Sequence, residues 1–309
     1  MGGFRQRRLL IKLGNDIKTI KSLHKSRILI TGASGWIGRE TLCLLQREVG
    51  PLCEMNLTLT GSVDKRIDIH GQSISIFGPR EAVKADAFDF IFHFAFITQE
   101  KVLSMGKNEY TRANVEINET AQEIALCNPE AKQLVLSSGA TKLLLENSLN
   151  SESKGLYAKL KLDLEEKTTD SRTLILRLWN TSGHHLGINP NYAISEFIHS
   201  AKNNKDIEIG NNLKRSYVYS QDVIRASILY LCGGGSGVNN SGGAFTDLKS
   251  LASRAVQINN STSKIRVEVK PQHSGFDYVS PPSDIPKEFW LQEINLEQQI
   301  IDTSAGIDV

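Results

Sequence analysis

Cysteine, charge of one sign and long apolar runs are all scarce in this chain. Its 309 residues hold four cysteines, Cys43, Cys53, Cys127 and Cys232. They lie far apart without a C-x-x-C spacing, which leaves no paired-thiol redox or zinc motif. Cys43 and Cys127 fall in apolar helical patterns and read as reduced core thiols. No apolar stretch approaches the roughly 18 residues that a membrane span requires. The N-terminus is basic, but no apolar core follows it, as a secretory signal would need. Thirty-six basic and 34 acidic residues leave a formal charge of +2, so nothing marks a nucleic-acid partner; apart from the first 27 residues the basic groups are scattered among acids. His184-His185 has no acidic or cysteine partner at ligand spacing, so no metal is expected. These absences predict a soluble, cytoplasmic protein with no membrane partner, whose 40% apolar residues suffice for a sizeable core.

The length suggests about two domains, or one large α/β unit. Residues 1–26 form a basic lead-in with Leu9, Leu10, Ile11, Leu13, Ile17, Ile20 and Leu23 at mixed helical spacing, an expected N-terminal helical extension. From Arg27 strand patterns run at Arg27–Thr31, Asn56–Thr60, Ser73–Phe77, Phe88–Phe94, Gln133–Ser137 and Thr173–Leu178. Helical patterns at Gly38–Glu48, Lys107–Cys127 and Ala158–Lys167 alternate with them. Apolar strands alternating with amphipathic helices predict an α/β fold with a doubly wound parallel sheet over residues 27–180, completed by about 218–245. Ser62–Lys84 carries no convincing helix, so a shortened or irregular crossover is expected there. Beyond Asn180 the texture changes. Thr181–Asn191 reads as a loop, Tyr192–Asn203 as a helix and Ile207–Gly210 as a short strand. Val218–Tyr219 leads into the helix Val223–Leu231, and Gly233–Gly243 reads as a turn region. Thr246–Ile258 reads as a helix with Asp247 as its cap, Val267–Val269 as a strand, and Ile285–Asp302 as an amphipathic helix. Residues 181–217 and 246–309 are expected to form a smaller C-terminal α/β domain.

Three places carry chemistry. In Arg27–Gly38 the run Ile28-Leu29-Ile30 breaks into Thr31-Gly32-Ala33-Ser34-Gly35-Trp36-Ile37-Gly38 and then into a helical pattern. Glycines let the backbone approach a pyrophosphate, and the N–H groups and dipole at a helix start favour negative charge. In Tyr157-Ala-Lys-Leu-Lys161 the phenol and the ammonium stand at i and i+4, on one face of a helix. A neighbouring ammonium is expected to pull the phenol down from its usual value near ~10 towards the working range. Leu134-Val-Leu-Ser137-Ser138-Gly139-Ala140 is a strand ending in hydroxyls, where ligands of open α/β sheets sit.

In this order and spacing the three resemble the extended short-chain dehydrogenase/reductase family, in its nucleotide-sugar epimerase/dehydratase/reductase branch. The resemblance covers about Arg27 to Ile258. TGASGWIG matches the family's TGxxGxxG, and Phe92-His93-Phe94-Ala95 resembles the H-x-A-A turn that passes the cofactor. Asn114-Val115 resembles its N-V helix, whose asparagine orients the active-site helix. Ser137-Ser138-Gly139-Ala140 matches S-S-G-A, and Tyr157 with Lys161 matches YxxxK. Arg177-Leu178-Trp179-Asn180 resembles R-x-x-N, Tyr192–Ile198 resembles the substrate helix that follows, and Arg215-Ser-Tyr-Val-Tyr219 with Asp222-Val223 resembles R-x-F/Y-x-Y/H-x-x-D-V.

The resemblance implies a Rossmann-type fold and a C-terminal substrate-binding domain. It implies catalysis by Ser138, Tyr157 and Lys161, positioned by Asn114. The implied cofactor contacts are Gly32, Ser34, Gly35, Trp36, Ile37, Gly38, Ser62, Lys65, Arg66, Phe94, Ala95, Phe96, Tyr157 and Lys161. Those for substrate are Ser138, Asn180, Phe197 and Arg215, a guanidinium fork suiting a diphosphate. It further implies a nucleotide-diphosphate sugar as substrate, a homodimer built on Lys107–Cys127 and Ala158–Lys167, and a place in surface-polysaccharide or glycoside biosynthesis.

Departures from the pattern narrow the reaction. Gly139-Ala140 stands where the 4,6-dehydratases carry an Asp-Glu pair, which disfavours loss of water. Thr141-Lys142-Leu143 replaces V-Y-G, and the loop to Tyr157 is short. After Asn56–Thr60 no carboxylate stands at the strand end, while Lys65 and Arg66 follow. That favours NADP(H), with NAD(H) the alternative should Asp64 lie at the ribose. A 4-keto-6-deoxy-sugar reductase is expected, against an epimerase with tightly bound NAD or a non-catalytic cofactor-sensing regulator.

Overall fold

The computed structural model describes residues 16–80, 87–149, 152–189, 191–268, 276–290 and 295–307. The chain divides into two compact units, one of Met1–Arg177, Ile224–Asn239 and Ile285–Leu291, the other of Leu178–Val223, Asn240–Asp284 and Gln292–Val309.

The first unit is built on β1 (Arg27–Thr31), whose Ile28, Leu29 and Ile30 are wholly buried. β1 lies between β2 (Asn56–Thr60) and the later strand Phe90–His93, parallel to both, with Ile28 opposite Leu57 and Phe90. A strand apolar on both faces is what a parallel sheet covered on both sides demands. The glycine-rich turn after β1 feeds α1 (Trp36–Glu48), whose buried face includes Ile37, Thr41, Leu42 and Leu45.

The crossover expected to be irregular over Ser62–Lys84 is a β-hairpin. β3 (Lys65–Ile69) pairs antiparallel with β4 (Gln72–Ile76) across His70-Gly71, both at positive φ. Two such residues fit the tight twisted turns that hairpins use, and Asp68 accepts from the Gly71 N–H at 3.0 Å. Beyond β4, Phe77 bridges Thr60 in parallel and exchanges backbone bonds with Leu59 and Gly61. The chain thus reaches the outer edge of β2 without the helix that usually carries it there. Residues 81–86 of that stretch lie outside the described residues.

β5 (Phe90–His93), β6 (Lys132–Ser138) and β7 (Thr173–Leu178) extend the sheet, and β5 and β6 run parallel. Between β5 and β6 comes α2 (Lys107–Cys127), and between β6 and β7 come α3 (Gly139–Leu145) and α4 (Glu152–Thr168). α2 and α4 pack on one another. The sixth strand comes from Gly237–Asn240, inside the Gly233–Gly243 region expected to be only a turn, and lies beside β7. Its glycine and asparagine content hides a four-residue strand from any propensity argument. Cys43 is buried as expected, but Cys127 is exposed at the last residue of α2, so the core-thiol expectation fails there. Residues 16–22 are helical and Leu23–Lys25 form a 3-10 turn, with Ile20 and Leu23 buried; residues 1–15 lie outside the described residues.

In the second unit β8 (Asn180–Ser182) pairs in parallel with Lys214–Tyr219, which pairs antiparallel with Ala244–Asp247. The strand Ile265–Val267 pairs with Ile207–Ile209, displaced from the expected Val267–Val269, whose last residue lies outside the described residues. The helices are α5 (Ala193–Lys202), α6 (Ser220–Cys232, whose larger part belongs to the first unit), α7 (Leu248–Ile258) and α8 (Leu296–Ala305). Asp247 caps α7, accepting from the Ser250 N–H at 3.0 Å, but it ends a strand that takes up the first two residues of the helix expected from Thr246. The single helix expected over Ile285–Asp302 is instead a 3-10 turn at Lys287–Phe289 behind Pro286, then α8 capped by Asn295. Residues 291–294 lie outside the described residues.

The β1–α1 turn depends on close backbone approach. A Cβ on Gly38 would stand 2.5 Å from Gly32 O and 2.6 Å from Ala33 Cα. Gly38→Ala is therefore expected to cost about 2 kcal/mol or more, read as a lowered urea midpoint with an unchanged slope.

Candidate active site

Gly32 sits at φ +67, and a Cβ there would lie 2.7 Å from the Ala95 amide nitrogen. The glycine turn and the chain leaving β5 thus touch backbone to backbone at the end of the sheet. Gly35 caps α1 without a side-chain acceptor, and the first turn of the helix holds no acidic residue. A Cβ on Gly35 would meet only Gly32 O, at 3.2 Å. The positive end of the helix is therefore uncompensated by any carboxylate of its own, which fits a pyrophosphate. Ser34 and Trp36 are half-buried beside this turn, and Ile37 and Gly38 are buried below it.

The segment after β5 is pinned from two sides. Thr31 Oγ1 lies 2.8 Å from His93 Nδ1 and accepts from the Ala95 N–H at 3.3 Å. Asn114 Oδ1 accepts from the Ile97 N–H at 2.9 Å, and its Nδ2 donates to Ile97 O and Tyr110 O, both at 3.2 Å. Asn114 therefore holds the loop, not the active-site helix as expected. One turn later Asn118 does that work, donating to Leu160 O at 2.8 Å and to Asp163 at 2.9 Å. Its i+4 spacing from Asn114 was the available signal. Phe94 stacks on Phe92, with centroids 6.2 Å apart.

Ser138 ends β6 and caps α3, accepting from the Ala140 N–H at 3.2 Å. Its hydroxyl stands near enough to the Tyr157 phenol to favour the charged form of that group. Burial pushes that phenol up to about 12, the Ser138 hydroxyl opposes the rise, and the nearby Glu100 charge adds to it. The expectation that Lys161 pulls it towards neutrality is not met. The ammonium is buried, which pushes it down to about 7 against the counter-pull of Glu165. Its Nζ donates to Leu136 O at 2.8 Å and lies 3.8 Å from the centre of the Phe96 ring. That ring also meets Tyr157 edge-on at 5.6 Å. Burial, with the Lys161 charge beside it, lowers His93 to about 3, so its imidazole is neutral here. At neutral pH the site presents a protonated phenol and an ammonium near its midpoint. An ammonium has three donors, and Leu136 O takes one, so Lys161 fits ribose hydroxyls.

One residue not anticipated from the sequence holds this arrangement. Glu165, one turn past Lys161, accepts from Arg177 Nε at 2.9 Å and Nη2 at 2.6 Å, from Thr141 Oγ1 at 3.0 Å, and from Ser137 Oγ. It ties α4 to the end of β6, so that Tyr157 and Ser138 converge. Four-residue spacing after YxxxK and a polar Ser137 beside Ser138 were the only signals.

Ser62, Lys65 and Arg66 are exposed beyond β2. Arg66 Nε donates to Ser73 Oγ at 2.9 Å, and Asp64 accepts from the Gly78 N–H at 2.6 Å. In the second unit Asn180 Nδ2 donates to Ser216 O at 3.0 Å and Tyr278 O at 3.3 Å. Arg215, next to Ser216, donates to Lys214 O at 2.8 Å and Phe276 O at 3.0 Å. Asn180 and Arg215 are thus brought together on neighbouring strands. Phe197 is only 4% exposed, on the buried face of α5. Among the described residues no group of three or more His, Cys, Asp or Glu could hold a metal, and no helix is long and apolar enough to cross a membrane.

The model of the NAD dependent epimerase/dehydratase family matches residues 28–240. No curated protein matches the chain. Among solved structures, a UDP-N-acetylglucosamine 4-epimerase from Methanobrevibacter ruminantium M1, in complex with UDP-N-acetylmuramic acid, superposes with a TM-score of 0.72 at 18% identity, covering 91% of this chain and 98% of that one. A UDP-glucose 4-epimerase from Thermus thermophilus, in complex with NAD, superposes at 0.67 and 16% identity, with the same 91% and 98% coverage. RMD from Pseudomonas aeruginosa with NADPH gives 0.67 and 19%, again covering 91% and 98%. At these identities the likeness is one of fold.

Glu165→Ala strands a buried guanidinium and is expected to cost about 3–5 kcal/mol, measured by urea unfolding. A second expectation concerns pH. Because the folded value of Lys161 lies below its unfolded one, burial of its charge penalises the fold in full below about 7. The penalty is relieved as pH rises from there towards the unfolded value, so stability climbs with pH across that window. Lys161→Met is expected to flatten this climb in unfolding curves taken across the same range.

Proposed function

The chain belongs to the NAD-dependent epimerase/dehydratase family, and from that premise we propose that it is an oxidoreductase of nucleotide-diphosphate sugars that reduces a 4-keto-6-deoxy sugar. What supports this reading is the convergence of Ser138 and Tyr157, with Lys161 one helical turn away and the glycine turn at the end of the same sheet. A reduced nicotinamide, when bound, supplies hydride to the carbonyl carbon. Tyr157 gives its proton to the carbonyl oxygen, and Ser138 donates to the phenolate left behind. Donors placed before the reaction cost no reorganisation during it, which is worth several kcal/mol of barrier, on the order of ~3 for one such donor. The turn Gly32–Gly38 would hold the pyrophosphate, and Lys161 the ribose hydroxyls. Arg215 we assign to a phosphate of the substrate, on its R-S-Y-V-Y segment.

Burial favours the protonated form of the Tyr157 phenol, the form from which reduction starts; an epimerase must first take a proton from a carbinol. Epimerases among the solved structures of this fold keep the second reading open to test. For the cofactor, Lys65 and Arg66 stand exposed beyond β2, while the Asp64 carboxylate is engaged by Gly78. That favours NADPH.

The deciding assay is a screen of keto-sugar nucleotides with NADPH and NADH in parallel, following cofactor absorbance. Consumption of NADPH with a keto sugar supports the reading. Isomerisation by the purified protein without added cofactor would replace it with the epimerase, and binding without turnover with a regulator. Tyr157→Phe is expected to lower kcat by about 10²–10⁴-fold. Lys65→Glu combined with Arg66→Glu is expected to raise KM for NADPH about tenfold, a loss of ~1.4 kcal/mol, with KM for NADH unchanged.

A further inference from the structure

In folds of this kind the adenosine ribose lies where the second strand ends, and an NAD site places a carboxylate there. Here β2 ends at Thr60 and the next residue is Gly61. That position is walled. A Cβ on Gly61 would stand 3.0 Å from Ile76 Cγ2 and 3.2 Å from Ser34 Oγ. Both contacts are tight enough to oppose any side chain, so β4 and the glycine turn together disfavour a carboxylate at this point. Ser34 thus brings the glycine turn up to the strand end. Arg39 is fastened to the same serine. It is half-buried in the first turn of α1, and its Nε donates to Ser34 O at 3.2 Å. Among the described residues no carboxylate pairs with its other N–H groups. A cation in the first turn of a helix opposes the helix dipole, which favours anions there. The turn has no acidic residue to offset this, and a bound phosphate would. Arg66 has less to offer. Its Nε donates to Ser73 Oγ at 2.9 Å and its Nη2 to Ser73 O at 3.5 Å, across the β3–β4 hairpin.

We propose that Arg39 is the specificity-determining residue for the cofactor, the guanidinium that takes the 2′-phosphate of NADPH. The Nε bond to Ser34 O holds it by the strand end, and its terminal N–H groups remain for phosphate oxygens. A guanidinium fork matches two such oxygens at once. A side chain already fastened at Nε loses less freedom on binding than a free one. The wall at Gly61 keeps away the carboxylate that would repel the phosphate. Lys65 and Arg66, exposed beyond β2, then act at longer range, through their charge.

The inference rests on the reading that the cofactor is NADPH, and its test lets the two fail separately. Calorimetry compares the binding of 2′,5′-ADP with that of 5′-AMP, two fragments that differ by the one phosphate and need no turnover. The parent is expected to prefer the bisphosphate. In Arg39→Gln that preference is expected to fall about ten- to a hundredfold, the worth of hydrogen bonds to a charged group. Arg39→Met, which keeps the apolar stem, is expected to show the same loss and serves should the glutamine variant fail to give a cooperative melt. Lys65→Gln combined with Arg66→Gln is expected to lower the preference about fivefold or less, as exposed charges do. A folded Arg39 variant that keeps the parent's preference overturns the assignment and leaves the NADPH reading standing. So does a hairpin double variant that loses as much as Arg39→Gln. A parent that binds the two fragments equally overturns the NADPH reading, and the assignment with it.

Discussion

A single buried carboxylate ties together the elements that carry the candidate site groups. Glu165 receives both arms of the Arg177 guanidinium and two hydroxyls, Ser137 and Thr141. Its partners come from α4's neighbours on three sides: the end of β6, the start of α3 and the end of β7. A buried ion pair is stabilising only when its remaining lone pairs are met, and here the hydroxyls meet them. Two of the donors flank Ser138 in sequence, and the acceptor lies one turn beyond Lys161. The position of Ser138 relative to Tyr157 is therefore inherited from Glu165, which touches neither.

The same economy operates where the chain leaves β5. Ala95 packs against Gly32 closely enough that a methyl group would not fit between them. Thr31 bonds both His93 and the Ala95 N–H. His93 is neutral because burial and the Lys161 charge both oppose its protonation, so its ring can sit beside the ammonium without repelling it. Backbone contact at the glycine turn, an imidazole held neutral and an asparagine on Ile97 fix one short segment. Phe96 is carried on it.

Much of this was legible in the sequence. β1, β2, α2 and β7 occupy the residues that their patterns predicted, because long periodic runs and β-branched strands are strong signals. The glycine turn and the Ser138, Tyr157 and Lys161 set were readable as well, since their spacing carries their geometry. What failed depended on contacts distant in sequence. Gly237–Asn240 is a strand because β7 offers an open edge, not because its residues prefer one. β4 was expected within one residue, at Ser73–Phe77, but β3 was masked by alternation too short to separate from loop, and with it the hairpin pairing. Phe197 came from the family resemblance, and that resemblance did not show that its side chain lies on the buried face of α5. Asn114 was given the contact with α4 that Asn118 makes: one helical turn separates them, and only the packed structure says which reaches Leu160.

The protonation states show how little the motif alone determines. YxxxK places a base beside an acid, and in water that pairing would favour phenolate. In the folded chain, burial acts on both groups in the opposite sense, raising the phenol to about 12 and lowering the ammonium to about 7. Both shifts act against an ion pair between the two groups. A group that holds its proton more tightly than its neighbour over the neutral range gives it up only to a stronger acceptor. The oxygen of a carbonyl gaining hydride is such an acceptor, because it becomes an alkoxide as the new bond forms. In the reduction we propose, that developing charge is the acceptor towards which Tyr157 would release its proton, so the transfer would follow the hydride.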